Sequence, residues 1–283
     1  MNSKSERAGI VPHLVMGVMA LYFLLPFWWL LVAATKDNDG LFLSAPLWFS
    51  DFHLIDNLKT VFSQENGIYL VWLRNSALYA VVSGVGATVV SALAGYAFAK
   101  LRFPGRTKLF ALLLGLIMVP ATALVLPTYL LMSKAGLVDS IWAVILPSLL
   151  NPFGVYLLRV YTHESLPDEM LEAARIDGAG ELRVFTSVAL PAMRPALVTV
   201  LLFSMVASWN NFFLPLVMLS DDHLFPLTVG LRTWYMSATL GNGGEALFNV
   251  IVTGALVAIL PLIVAFLLLQ RYWRGGLTIG AVK

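Results

Sequence analysis

Two short stretches carry residue types that could do chemistry. Trp209, Asn210, Asn211, Phe212 and Phe213 set an indole and two carboxamides beside two phenyl rings. Aromatic faces stack on the apolar side of a sugar ring, and amides donate and accept hydrogen bonds with its hydroxyls. A contact in a sugar pathway, centred on Trp209, Asn210, Asn211 and Phe213, is one reading; helix packing or gating is the other. The second stretch gathers Asp168, Glu169, Glu172, Arg175, Asp177, Glu181 and Arg183 around Gly178 and Gly180. Bond-making chemistry has no equipment to match. There is no cysteine, so no thiolate nucleophile or thiolate metal site. His13, His53, His163 and His223 are scattered, and no nucleophile–base pair or metal set accompanies them. The phosphate-cradling pattern G-x-x-x-x-G-K-[ST] is absent, so any ATP is expected to be bound by another chain.

The rest of the chain is written for lipid. Of 283 residues, 59% are hydrophobic and 12% charged, with a mean hydropathy of +0.82; soluble domains carry about 25% charged residues. A net charge of +2 provides no basic surface dense enough for nucleic acid. Apolar runs of spanning length fall at about 10–34, 75–98, 109–131, 141–161, 196–219 and 247–270. They predict six transmembrane helices in a single domain over 1–283. The first run is too long for the apolar core of a cleaved leader and is read as a retained helix.

Cationic connections stay on the cytoplasmic side. With both termini inside, the inner segments hold Lys4, Arg7, Lys100, Arg102, Arg106, Lys108, Arg159, Arg175, Arg183, Arg194, Arg271, Arg274 and Lys283. The outer ones hold Lys36, Lys59, Arg74, Lys134 and Arg232. Both termini are therefore expected in the cytoplasm. The long outer connection includes "NLKTVF" and "IYLVWL", either short helices lying on the membrane surface or plain connector.

Ser83, Ala87, Ser91, Gly95 and Ala99 recur every four residues and form one helix face on which another backbone can approach closely, within the subunit or at an interface. Pro26, Pro120, Pro127, Pro147, Pro152, Pro215 and Pro261 lie inside the apolar runs, where each removes a backbone donor and can bend its helix. No Asp, Glu, Lys or Arg sits in the middle of any run, which counts against coupling to an ion gradient.

The charged stretch falls in the inner loop 164–192. Ser165 followed by Asp168 predicts a helix start, with Pro167 in the first turn. Leu166, Met170 and Ala173 are expected on its apolar face, with the charges elsewhere. Gly178 is expected to stop that helix and Gly180 to release the chain. A second helical segment, with Leu182, Phe185 and Val188 spaced by three, then runs toward Pro191 and Pro195. An apolar ridge exposed on a loop points to a partner.

Glu172, Ala173, Ala174, Gly178, nine further residues, then Val188, Ala189, Leu190 and Pro191 resemble the loop signature of permease subunits of bacterial ABC importers. "WLRNSALYAV", "AGYAFAKLRFPGR", "SWNNFFLPLVML" and "RYWRGGLTIGAVK" resemble the second permease of the carbohydrate-uptake branch, the maltose and glycerol-3-phosphate type, so the likeness covers nearly the whole chain. It implies an all-α, six-span type I importer permease in the bacterial inner membrane, importing a sugar, oligosaccharide or polyol phosphate. The implied partners are a second homologous permease, two ATPase subunits that hold ATP and Mg, an extracytoplasmic solute-binding protein, and membrane lipid. The resemblance makes Met170, Glu172, Ala173, Ala174, Asp177, Gly178, Leu190 and Pro191 the ATPase-coupling residues. The rival readings are an ABC permease for a non-sugar solute, a secondary transporter or channel, and a membrane-embedded enzyme.

Overall fold

A computed structural model describes residues 10–240 and 247–273, with the side chains of 10, 269 and 271–273 excepted. Lys4, Arg7, Arg274 and Lys283, and the side chain of Arg271, thus lie outside what is described, with most of the carboxyl-terminal segment the sequence singled out. The described residues are helical and contain no strand. In chain order the helices are α1 (Ile10–Ala34), α2 (Asn38–Leu43), α3 (Leu54–Ser63), α4 (Ile68–Lys100), α5 (Arg106–Ile117), α6 (Val125–Lys134), α7 (Ile141–Ser148) and α8 (Pro152–Ser165). They continue as α9 (Asp168–Ile176), α10 (Glu181–Val184), α11 (Leu190–Ala192), α12 (Arg194–Trp209), α13 (Phe213–Met218), α14 (Leu227–Thr239) and α15 (Phe248–Trp273). Among them four stretches are long and apolar enough to cross a membrane, or up to six if each sharply bent pair counts as one crossing.

Several expected runs are broken, and the prolines explain where. The 109–131 run is α5 and α6, meeting at 103° on either side of Pro120. A missing amide costs little at a helix start. Pro152 accordingly begins α8, and Pro127 and Pro215 lie in the first turns of α6 and α13, whereas Pro26, Pro147 and Pro261 remain inside helices. The stretch "IYLVWL" is neither a surface helix nor a connector. It forms the first turns of α4, which begins at Ile68 because Glu65, Asn66 and Gly67, at φ 47°, 58° and 82°, end the preceding helical path.

The helices group into two compact units. The first comprises the chain up to Ile68 together with Leu231–Ile259. Asn57, buried on α3, organises it. Its amide nitrogen donates to the carbonyls of Ala34 (2.9 Å) and Lys36 (2.8 Å), and its oxygen accepts from Asn249 Nδ2 at 2.7 Å. The last carbonyls of a helix have no partner within it, and Asn57 supplies one at the end of α1.

The second unit is Tyr69–Gly230 with Leu260–Lys283. Here one face of α4 clamps the loop at 222–227. Trp72 donates to Asp222 O (2.9 Å), Asn75 to His223 O (2.7 Å) and Phe225 O (3.1 Å), and Tyr79 to Leu224 O (2.8 Å), while Ser76 Oγ accepts from Leu227 N (2.8 Å). Further along α4 the small-residue stripe packs inside the chain. Ser83, Ala87 and Ser91 are buried, and a Cβ on Gly95 would stand 2.8 Å from Leu158 Cβ and 3.0 Å from Arg159 N on α8. Gly95→Ala therefore has to push two helices apart. Overpacking of this kind costs about 1–3 kcal/mol, and thermal unfolding of the purified variant is expected to show that loss.

Candidate functional site

The loop at 164–192 is a helical hairpin seated on the membrane helices. Ser165 does not start α9. It closes α8 instead, with its hydroxyl donating to Tyr161 O at 2.6 Å, and the chain turns through an extended Leu166 before Pro167 precedes the first helical residue, Asp168. A proline at the cap position offers no side-chain acceptor, and the start of α9 is instead tied across the fold: Lys100 Nζ, at the end of α4, meets Asp168 Oδ1 at 2.6 Å.

The stop at Gly178 follows from backbone chemistry. Gly178 N donates to Arg175 O and Ala179 N to Ala174 O, both at 3.0 Å, with Gly178 at φ +83°. This paired closure satisfies the last carbonyls of α9 and needs a residue that tolerates the left-handed region. A Cβ at Gly178 would meet nothing within 4 Å, so the requirement is for conformation rather than space.

The return limb does not keep a spacing of three. After α10, residues Phe185–Ala189 widen into a π turn in which Leu190 N reaches Phe185 O, and Pro191 follows at once in α11. A proline inside a helix lacks its donor and crowds the carbonyl four residues back; a wider turn relieves that conflict. The turn also changes which side chains face inward. Val184, Phe185, Ala189 and Met193 are buried, while Leu182 is 74% exposed.

On α9 the inward residue is Leu171, while Met170 stays on the open side. Leu171 is 1% exposed and Met170 50%. Leu166, Leu171, Val184, Phe185, Ala189 and Met193 form one apolar cluster with Ala92 and Tyr96 of α4, Leu158 of α8, and Ala196 and Val200 of α12. Burying each larger side chain is worth about 1.5–3 kcal/mol, so the hairpin is anchored as firmly as the helices below it. Ala174 is half-buried against this cluster, whereas Glu172, Ala173, Asp177 and Gly178 are exposed, with Ile176 the most open of the large apolar residues here at 86%. Leu190 is half-buried and Pro191 exposed at the end of the return limb.

A fork of charge fixes the angle of the hairpin. Arg175 Nε lies 2.7 Å from Glu181 Oε1 and its Nη2 3.3 Å from Oε2. Arginine matches a carboxylate in this two-point fashion. The hydrogen bond from Arg175 holds the Glu181 carboxyl below its ordinary range, and the bond from Lys100 does the same for Asp168. A carboxylate with a lowered folded pKa stabilises above its unfolded value and loses that contribution as pH falls through the folded one. Amide exchange at 174–181, corrected for intrinsic rates, is therefore expected to accelerate as pH drops below the ordinary glutamate value of 4.5. In Glu181→Gln the Arg175–Glu181 part of that acceleration is expected to be absent.

Tyr96 packs its ring on Phe185 at 5.2 Å between centroids, and its buried hydroxyl has no hydrogen-bond partner among the described residues. An unsatisfied buried hydroxyl costs about 1–3 kcal/mol. Tyr96→Phe is expected to unfold at the same temperature as the wild type or higher, and a clear loss of stability would show that the hydroxyl is bonded.

The aromatic–amide stretch lies at the break between α12 and α13. Trp209, the last residue of α12, is buried at 8% exposure. Asn210 is exposed but uses its side-chain amide to cap its own helix, donating to Val206 O at 3.0 Å. Asn211 O accepts from Thr228 Oγ1 at 2.8 Å, and Phe213 is 43% exposed at the start of α13. These four residues therefore do not present one common face.

Sequence reasoning missed Leu171, the Lys100–Asp168 pair and the Arg175–Glu181 fork. Leu171 and Ala174, three apart, carried the signal for the inward face of α9. Nothing in the sequence pointed from Lys100 to Asp168, 68 residues away.

Residues 87–274 match the family described as the binding-protein-dependent transport system inner membrane component. The chain is 38% identical over 229 residues to the arabinooligosaccharides transport system permease protein AraQ of Halalkalibacterium halodurans, covering 81% of this chain and 79% of that protein. It is 30% identical over 268 residues to the sn-glycerol-3-phosphate transport system permease protein UgpE of Pectobacterium atrosepticum, covering 93% of each. Its fold superimposes with a TM-score of 0.82 on a chain of a crystal structure of a bacterial ABC transporter involved in the import of the acidic polysaccharide alginate, at 24% identity and covering 96% of this chain and 99% of that one. The chain belongs to the binding-protein-dependent inner membrane permease family and has the type I ABC permease fold. It is the membrane permease component of an ABC transport system.

Proposed function

We propose that the chain forms one half of the translocation pathway of an importer for an oligosaccharide, a sugar or a polyol phosphate, the cargo classes printed for its relatives. It crosses the bacterial cytoplasmic membrane six times with both termini inside, as one permease domain. It pairs with a second, homologous permease, and an extracytoplasmic binding protein delivers the solute. ATP and Mg are held by two separate ATPase subunits; this chain makes and breaks no bonds.

The hairpin is the coupling element. Glu172, Ala173, Asp177 and Gly178, flanked by Met170, Ile176 and Leu182, meet the ATPase, while Ala174, Leu190 and Pro191 hold the hairpin's shape from behind. The observation that carries this reading is the continuous apolar cluster joining the hairpin to α4, α8 and α12. A displacement of α9 by a closing ATPase pair moves those helices with it, because a packed core is displaced as a body rather than compressed. At the α12–α13 break, Asn210 and Phe213 face the pathway and Trp209 backs them.

Sealed vesicles holding the reconstituted complex provide the test. Uptake is expected to require ATP inside the compartment that faces the hairpin and to survive collapse of ion gradients. Uptake that ignores ATP and stops with an ionophore would assign the chain to secondary transport.

A further inference from the structure

We propose that the connection between α4 and α5 holds the phosphate headgroup of an anionic phospholipid. Arg102, Phe103, Gly105, Arg106, Thr107 and Lys108 line an open hollow. Residues 100–108 carry four cations and no acid. Two of the four are committed elsewhere: Lys100 is paired with Asp168, and Arg106 spends one guanidinium bond on Leu101 O at 3.1 Å. Arg102 and Lys108 form no ion pair among the described residues, and both are exposed. The hollow is therefore strongly cationic, and the Asp168 carboxylate, whose field reaches Arg102, is already taken by Lys100.

Its surroundings select a lipid over a free anion. Directly after the hollow, α5 exposes Leu109, Leu112 and Leu116, at 49%, 61% and 47%, on one face. A headgroup in the hollow would lay its acyl chains along that face, so one molecule satisfies both the charge and the apolar surface. The first turn of α5 has no side-chain cap, and its dipole adds to the attraction without being needed to create it. Basic segments at a membrane boundary draw in anionic lipid by about fivefold for each cation. This assignment rests on the proposed topology, which sets the connection at the cytoplasmic boundary.

The test uses the whole importer purified in a neutral detergent and titrated with short-chain phosphatidylglycerol, phosphatidylcholine or inorganic phosphate, with bound lipid counted by native mass spectrometry. The wild type is expected to retain phosphatidylglycerol in preference to phosphatidylcholine. The double variant Arg102→Gln/Lys108→Gln is expected to weaken that retention about 25-fold, and Arg102→Lys/Lys108→Arg to restore it. Equal retention by the Gln variant overturns the site. Displacement of the lipid by inorganic phosphate at matching concentration overturns the lipid assignment in favour of a free anion. Unchanged lipid with loss of the ATPase in the Gln variant gives the hollow to a protein contact and also overturns it. Presence of the ATPase in the wild-type preparation, together with ATP-driven uptake, reports separately on the importer reading, so its failure is distinguishable from failure of the lipid site.

Discussion

Gly178→Val leaves the membrane helices folded and strips the importer of most of its coupling. The residue sits at φ +83° with open space around its Cβ position, so the valine meets no clash with a neighbour and is penalised by its own backbone. A non-glycine residue in the left-handed region costs about 1–2 kcal/mol, and a β-branched one stands at the upper end. That cost falls on the closure that ends α9, where Gly178 N and Ala179 N satisfy Arg175 O and Ala174 O. A strain of that size lowers the ratio of closed to open turn by about 5- to 30-fold, and transport-coupled ATP hydrolysis should fall to the extent that the turn opens or reshapes. Gly178→Asn, which tolerates this region better, should keep much more activity. Wild-type stimulation of the ATPase by solute in Gly178→Val would remove the turn from the mechanism.

Glu172→Lys should separate docking from folding even more cleanly. Glu172 is exposed on α9, and its carboxylate forms no ion pair among the described residues. Surface changes of this kind stay within about 0.5 kcal/mol of wild-type stability. At an interface, by contrast, a reversed charge is both unpaired and repelled, a penalty of about 2–5 kcal/mol. The expected result is a protein that inserts and unfolds as the wild type does but no longer retains its ATPase through purification. Normal uptake by Glu172→Lys would place Glu172 outside the contact.

The contrast between these two residues and their neighbours shows what the sequence made legible. Gly178 could be read because the paired closure of a helix end imposes a left-handed residue at one position. Pro191 and Pro195 could be read as marking the segment's passage toward the membrane helices, because proline cannot donate. The inward face of the hairpin could not be read by counting threes and fours. A π turn at Phe185–Ala189 shifts the register past Phe185, so that Ala189 rather than Val188 joins Val184 and Phe185 among the buried residues. Met170 was expected on the apolar ridge left open to a partner and is half exposed, whereas Leu171, which that reading did not single out, faces inward.

Long-range partners leave no local trace. The Asn57–Asn249 bond joins residues 192 apart, and the Lys100–Asp168 bond residues 68 apart. The 103° bend between α5 and α6 had a marker in Pro120, but a proline fixes only where a helix can break, not the angle. At the other candidate site, the residue types favoured sugar recognition while the structure buries Trp209 and turns the Asn210 amide back to Val206.

The most direct test of the central claim uses the absence of native cysteine. A single cysteine at Ile176, the most exposed large apolar residue of the hairpin, is placed in the whole importer, labelled with a short thiol-reactive photocrosslinker that bonds to any neighbouring residue, and irradiated with and without ATP. A crosslink to the ATPase subunit is expected at Ile176→Cys and none at Leu171→Cys, which points into the cluster. An uncrosslinked Ile176→Cys in a complex that still carries out ATP-driven uptake would contradict the assignment of this hairpin as the coupling element.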